Sequence, residues 1–460
     1  MTTLATQLIR PKEETDRSTD ASRVPWVLFL LLNATLFMRP AEIIPQLVGW
    51  PIYEVLILSC LVLSFPSLLS KLHLRSLAAN PITLCVLGML PAIVLSHLMR
   101  GETWYARTLG TEFIKIILYY LLLVTLVNSP RRLWYFLSSL VIYALVLNAV
   151  AMLSYHRIVD LTTVRPLRES QPQIDPTTGE HVTVLRLQAA GIYANPNDLS
   201  RLGVVGITIC LFAIGWKASG WRRVLWLVPL AVFAYAVHLT YSRGGLLAML
   251  AGITVLFHAR YGMKKGIVFA AIVLAPALVL AAGRQTDIST SDGTGQLRIK
   301  LWSNGLVAMR ASPIFGIGAN RYFSVAGNHA HNSFLEVFVE TGVIGGTLFT
   351  SAFALAAAGM YRLKSREMEV DDPELWRLRA YVLSLVVSTI VGQLSSSREY
   401  SEPTYMILGL ATAFMGLAAQ HTPGSTIRLS PKVALRLMGF SAMTLLIFKL
   451  YAEFNARFGR

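Results

Sequence analysis

Long apolar runs separated by short polar connections dominate the chain. They cover about 24–38, 51–69, 81–98, 111–128, 133–154, 200–216, 223–240, 244–259, 265–282, 333–360, 378–394, 403–419 and 434–452. Most approach the roughly 20 consecutive apolar residues that carry a helix across the hydrocarbon core. The run at 244–259 is short for that task, and 434–452 fits either a last span or a helix lying in the interface. The pattern predicts an all-α, polytopic membrane protein of about 12–13 transmembrane helices, a single transmembrane domain over 24–460. Residues 1–23 are polar and lack the short apolar stretch and small-residue cleavage site of a signal peptide. They read as a disordered cytoplasmic tail.

Two connections are long, 155–199 and 283–332, and both fall on the same side of the predicted membrane. Within the first, "TVRPLRE" and "HVTVLRLQ" flank "QIDPTTGE", where Asp-Pro and Gly mark a turn between alternating segments. This predicts a small hairpin lying over the membrane.

Composition agrees with a membrane class. The 460 residues are 54% hydrophobic and 14% charged, against about 25% charge in soluble domains. Cys60, Cys85 and Cys210 all lie inside apolar runs, so no disulfide framework is expected. The net charge of +16 is scattered among the membrane segments, which makes it informative about orientation rather than nucleic acid. With the N-terminus inside, the inner connections carry Lys71 and Arg75, Arg131 and Arg132, Lys217, Arg222 and Arg223, Arg260, Lys264 and Lys265, Arg362, Lys364 and Arg366, then Arg428 and Lys432. Every inner connection is basic, as the positive-inside bias requires. The loops 155–199 and 283–332 are then on the outer face.

The outer face also holds arginines, among them Arg186, Arg201, Arg243, Arg298, Arg321 and Arg398. Long loops cross a membrane largely regardless of charge. Arg243 is different, because "TYSRGG" is a very short turn between two spans. An arginine there either snorkels to lipid phosphate or serves a substrate site.

The stretch "GNHAHNSFLEVFVETGVIGG" (327–346) puts two histidines, an asparagine and two glutamates at the mouth of an apolar helix. Ser333 followed by Glu336 fits a capping box, so a helix is predicted from Asn332 or Ser333, with Glu336 as a cap. His331 directly precedes that start. The positive end of the helix dipole disfavours imidazolium there, and a neutral imidazole can take a proton from a hydroxyl. The competing reading is a loop histidine bonded to backbone. The His-x-His pair lacks a convincing third ligand, so no metal is expected.

This stretch resembles the His-Asn-x-x-Leu segment of the O-antigen ligase and polymerase superfamily, bacterial inner-membrane enzymes that act on polyprenyl-linked glycans. Three further stretches agree in order and spacing. "GIYANPNDLSRLGV" (191–204) resembles the family's Gly-x-x-x-Asn-Pro-Asn segment, and "TYSRGGLLAML" (240–250) its Ser-Arg-Gly turn. "LRIKLWSNGLVAMRASPIFGIGANRYF" (297–323) resembles its long-loop pattern of an arginine, a tryptophan and Gly-x-Gly before the histidine. The resemblance covers about 190 to 350. It implies a polyprenyl-diphosphate glycan donor, an acceptor hydroxyl on lipid A core or a similar glycan, a periplasmic site, and no cofactor. On that basis His331 is the expected catalytic base, with Arg243, Arg298 and, less directly, Arg186 as pyrophosphate ligands. His329, Asn332, Arg321 and Asn197 are secondary candidates. Asn195, Pro196 and Asn197 also read as a helix cap, and Gly316 and Gly318 as turns.

Two other classes compete. A transporter would bind near the midplane and often shows repeated halves with broken helices; here Glu54, Glu112, Glu336 and Glu340 sit toward one face. A non-catalytic assembly protein is the other. Within the enzyme reading, ligase and polymerase differ only in the acceptor.

Overall fold

A computed structural model describes residues 23–40, 44–161, 163–174, 181–262, 264–266, 268, 272, 294–365, 373–422 and 426–458. The expected tail (1–22) and most of the run 265–282 lie outside them. The twelve remaining apolar runs are all helices: α1 Arg23–Met38, α2 Ile52–Leu72, α3 Pro81–Leu98, α4 Thr103–Leu126, α5 Pro130–Tyr155, α6 Pro196–Ile214, α7 Leu227–Leu239, α8 Arg243–Tyr261, α10 Ser333–Ser365, α11 Pro373–Gln393, α12 Glu402–His421 and α13 Pro431–Phe458. The helix α9, Thr294–Met309, lies in the second long connection. Among the described residues ten helices are long and apolar enough to cross a membrane. The chain is an all-α polytopic membrane protein.

Three segments refine the expected pattern. The run at 244–259 is a 19-residue helix, because its first turn is built from Arg243 and two glycines and escapes a hydropathy window. The last run becomes a 28-residue helix, and Pro431–Asn455 has the length and composition of a span. Its Leu435, Met438, Phe440, Met443 and Ile447 are exposed, as side chains facing lipid would be. By contrast α12 falls outside the ten. It is rich in Gly, Ala and Thr and is buried over most of its length, the composition that lets helices approach closely inside a bundle.

Some polar groups in the interior are paired between helices. The Tyr119 hydroxyl donates to Asn33 Oδ1 at 2.7 Å, joining α4 to α1. The Tyr120 hydroxyl lies 2.9 Å from Thr83 Oγ1 and 3.0 Å from Thr412 Oγ1, joining α4 to α3 and α12. Unpaired hydroxyls would be costly at this depth.

The predicted hairpin is present. Strands β1 (Leu167–Ile174) and β2 (His181–Arg186) are antiparallel, with Leu167 opposite Arg186 and Glu169 opposite Val184. Its exit is fastened to the end of α7, where Leu187 N–H donates to Leu239 O at 2.9 Å.

The apolar run at 333–360 reads as one unbroken span, but α10 is broken at Gly342, where φ is +67° and ψ −167°. That conformation is essentially restricted to glycine. The break frees backbone groups, and the loop 313–318 takes them up. Ile317 N–H donates to Val339 O at 3.0 Å, Gly318 N–H to Glu340 O at 2.9 Å, and Val343 N–H to Pro313 O at 2.9 Å. Gly316 and Gly318, both at positive φ, let this loop lie against the helix backbone. Irregular backbone at this depth is tolerable because protein covers it.

Candidate functional site

Four helix starts meet at one end of the bundle. Asn195 caps α6 by accepting from Asn197 N–H at 2.9 Å. Ser242 caps α8 by accepting from Gly245 N–H at 3.1 Å, and its hydroxyl donates to Asn197 Oδ1 at 2.8 Å. Asn332 caps α10 by accepting from Leu335 N–H at 3.2 Å. The turn 394–401 leads into α12 and is tied to α10: the buried Ser333 hydroxyl accepts from Arg398 N–H at 2.8 Å and lies 2.8 Å from Ser396 O. Each start presents backbone N–H groups and the positive end of a helix dipole.

The cap of α10 differs from the expected capping box. Asn332 takes the capping role, which leaves Ser333 to bond across to α11. Glu336, 1% exposed, reaches back past the cap instead. Its carboxylate accepts from Ala330 N–H at 3.1 Å, from the Ser397 hydroxyl, and from His329 Nδ1 at 2.7 Å. Trp302 on α9 donates from Nε1 to Ala330 O at 2.8 Å, so the histidine loop is held from both sides. His331 sits at φ +51°, an uncommon conformation for a residue with a Cβ, and its N–H donates to Ser397 Oγ at 3.1 Å.

The two histidines are pushed in opposite directions. Burial and the neighbouring Arg298 charge hold His331 below its ordinary value, favouring a neutral ring. The hydrogen bond to Glu336 raises His329, favouring its charged form. Adjacent groups driven apart in this way suit distinct proton-transfer roles.

Arg243 opens α8, directly after the capping Ser242. Arg298 on α9 is pushed below its ordinary value by burial and then by the Arg243 charge, and it in turn acts on His331. Arg298 is therefore within electrostatic reach of both Arg243 and His331. The other candidates are occupied differently. Arg186 bonds through Nε to Thr240 O at 2.8 Å, through one terminal nitrogen to Glu169 at 2.7 Å, and through the other to Asn197 Oδ1 at 3.0 Å. It joins the hairpin to the starts of α6 and α8, and Asn197 is a shared acceptor in that junction. Arg321 pairs with Glu102 at 2.8 Å and lies over the Tyr105 ring, 4.2 Å from its centroid. Glu102 also bonds the His97 ring at 2.8 Å. His329 is half-exposed beside the site, and Asn332 is buried beneath it.

A cavity of about 420 Å³ opens here, with His329 and His331 in its wall together with Asp198, Asn320, Arg398 and Glu399. Arg398 is held by Asp198 through Nε at 2.7 Å and a terminal nitrogen at 2.5 Å. Sequence reasoning placed Arg398 on this face but gave it and Asp198 no role in the site. The signal was faint: "SSSREYSE" (395–402) is a polar run between two spans, and nothing in it points to Asp198, 200 positions away. Among the described residues no three His, Cys, Asp or Glu side chains are grouped as metal ligands.

Comparison with known proteins bears on this end of the bundle. Residues 228–350 match the family described as O-antigen ligase, a range that includes Arg243, Arg298, His329 and His331. That stretch is similar to the O-antigen ligase family. The chain is also 28% identical to the "Exopolysaccharide production protein ExoQ" of Rhizobium meliloti (strain 1021), over 44% of this chain and 51% of that protein. The chain thus spans about half the length of the curated relative it matches. The matched stretch holds the two arginines and both histidines, while Asp198 and Arg398 lie outside it on either side.

Proposed function

We propose that this protein is a membrane glycosyltransferase of O-antigen ligase type, working on the periplasmic face of a bacterial inner membrane. The donor is a glycan on polyprenyl diphosphate, and the acceptor is a sugar hydroxyl on lipid A core or a similar glycan. The acceptor oxygen attacks the anomeric carbon as the bond from that carbon to the phosphate oxygen breaks. The lipid diphosphate leaves, the acceptor proton passes to His331, and direct displacement inverts the anomeric centre. Arg243 and Arg298 hold the pyrophosphate and stabilise the charge that grows on it. This chemistry calls for no metal or nucleotide.

One observation carries the reading: where helix N-termini converge, a histidine pushed toward its neutral form lies within electrostatic reach of Arg298, which is itself within reach of Arg243. Arginine's planar fork matches phosphate oxygens, and the dipole ends favour the same anion. A neutral imidazole beside it has the form a general base needs. The test is transfer by purified protein in detergent, supplied with lipid-linked glycan. His331→Ala should lose transfer while donor binding persists; normal transfer by that variant would remove the base from the mechanism.

A second reading has its own support. The relative named for exopolysaccharide production favours joining of lipid-linked repeats, in which the acceptor is another lipid-linked glycan. Glycan chain-length profiles from a deletion strain separate the two. Loss of long chains marks a polymerase, whereas intact chains left on lipid diphosphate mark a ligase.

A further inference from the structure

We propose that the 420 Å³ cavity is the acceptor subsite, taking a sugar ring between the Asp198–Arg398 pair and Glu399. The inference rests on the glycosyltransferase reading and assigns one compartment of the same site. Its first support is position. His331 lies in the cavity wall, yet neither Arg243 nor Arg298 does. The catalytic imidazole therefore borders the cavity and also lies within electrostatic reach of Arg298, which stays outside the cavity wall. An acceptor hydroxyl and a donor diphosphate need that separation, since the base must meet the nucleophile while the leaving group departs.

The second support is the chemistry of the wall. A sugar offers hydroxyls that both donate and accept, around a ring with apolar faces. The cavity provides a guanidinium, carboxylates, the Asn320 amide and the Ser397 hydroxyl, beside the buried Phe113. Its size lies in the range of small-ligand sites, roughly 300–1,000 Å³. The Asp198 carboxylate fixes the Arg398 fork by two contacts, so the guanidinium is already oriented before a ligand arrives.

The third support is an incomplete hydrogen bond. Glu399 is 5% exposed, lines the cavity, and its Oε2 has no partner among the described residues. Buried polar atoms are rarely left so, because the desolvation cost is not recovered. Oε2 itself is closed off from the open space, and a hydroxyl-bearing ligand completes it once the carboxyl turns toward the cavity. Burial, followed by the neighbouring Glu336 and Glu340 carboxylates, holds Glu399 well above the ordinary carboxylate range, so its carboxyl can also donate.

The experiment is equilibrium dialysis of radiolabelled methyl hexosides (glucoside, galactoside, mannoside and their amino-sugar counterparts) against purified protein in detergent. At least one should bind the unaltered protein. Arg398→Gln should weaken it by about tenfold or more, the effect of losing one hydrogen bond to a charged group, and Leu109→Trp, which adds bulk from the cavity wall, should weaken it at least as much by filling the space. Arg298→Gln should leave that binding intact. Gel filtration checks that the variants stay monodisperse; if Arg398→Gln aggregates, Leu109→Trp decides alone. Absence of hexoside binding, or equal binding by both wall variants, overturns the acceptor subsite. Binding that follows this pattern without any glycan transfer would instead overturn the glycosyltransferase reading.

Discussion

His331 and His329 stand two positions apart, yet their environments favour opposite protonation states. If His331 accepts the acceptor proton, it must be neutral in the resting enzyme. Burial and Arg298 place its titration below 6.5, so transfer should fall as pH drops through that lower value and stay flat above it. Arg298→Gln removes one lowering influence, so the acid limb of its kcat/KM profile should move toward neutrality on whatever activity remains. A wild-type acid limb above pH 7 would contradict this assignment. General-base catalysis is typically worth about 10²–10⁴-fold, and His331→Ala should lose roughly that factor. His329→Ala should lose less, because that ring is bonded to Glu336 and favours the charged form. The arginines test separately: Arg243→Lys and Arg298→Lys should each fail to restore full turnover, since a point charge does not reproduce the bidentate fork. Combined, the two should be far from additive, since they serve one group; wild-type turnover in the double variant would mean they only snorkel. The histidines and these two arginines were legible because each lies in a short local pattern. The Asp198–Arg398 pair was not, because its two halves are joined only by packing.

Among the elements, helices were read well and their interruptions were not. Apolar runs of bilayer length leave few alternatives in hydrocarbon, so the existence of twelve helices followed from hydropathy. The break at Gly342 did not, because "ETGVIGG" is as apolar as a continuous span and its cause is the loop 313–318, distant in sequence. Directly after that loop comes Ala319, whose carbonyl lies 3.0 Å from His97 Nε2. Gly342→Ala should therefore be strongly destabilising. A Cβ there would meet the Ile314 backbone, and the conformation itself costs an ordinary residue about 1–3 kcal/mol. Thermal unfolding in detergent checks this, with Gly49→Ala as a comparison, since Gly49 also has positive φ but an added Cβ meets nothing. If both variants lose equal stability, the loop–helix junction contributes nothing beyond backbone strain.

At the scale of the whole molecule, the basic connections and the candidate site occupy opposite ends of the same helices. α5 starts beside Arg131 and Arg132 and ends at Tyr155, leading into the hairpin. α6 and α8 start at the site, with Asn195 and Arg243, and end near Lys217 and Arg260. α10 runs from Asn332 toward Arg362. The positive-inside bias acts on short connections near span ends, which supports the proposed orientation, with the site outward and the other end toward the cytoplasm. A lipid-linked donor fits this arrangement, because its polyprenyl tail holds the diphosphate at headgroup depth, where polar groups and water are available. Single-cysteine labelling from the outside tests it with little interference, since Cys60, Cys85 and Cys210 are all buried. A cysteine placed at 315 should react with a membrane-impermeant maleimide in cells whose outer membrane is permeabilised, and one at 364 should react only after the inner membrane is opened. The reverse pattern would put His331 and both arginines in the cytoplasm, away from any acceptor exported to the cell surface.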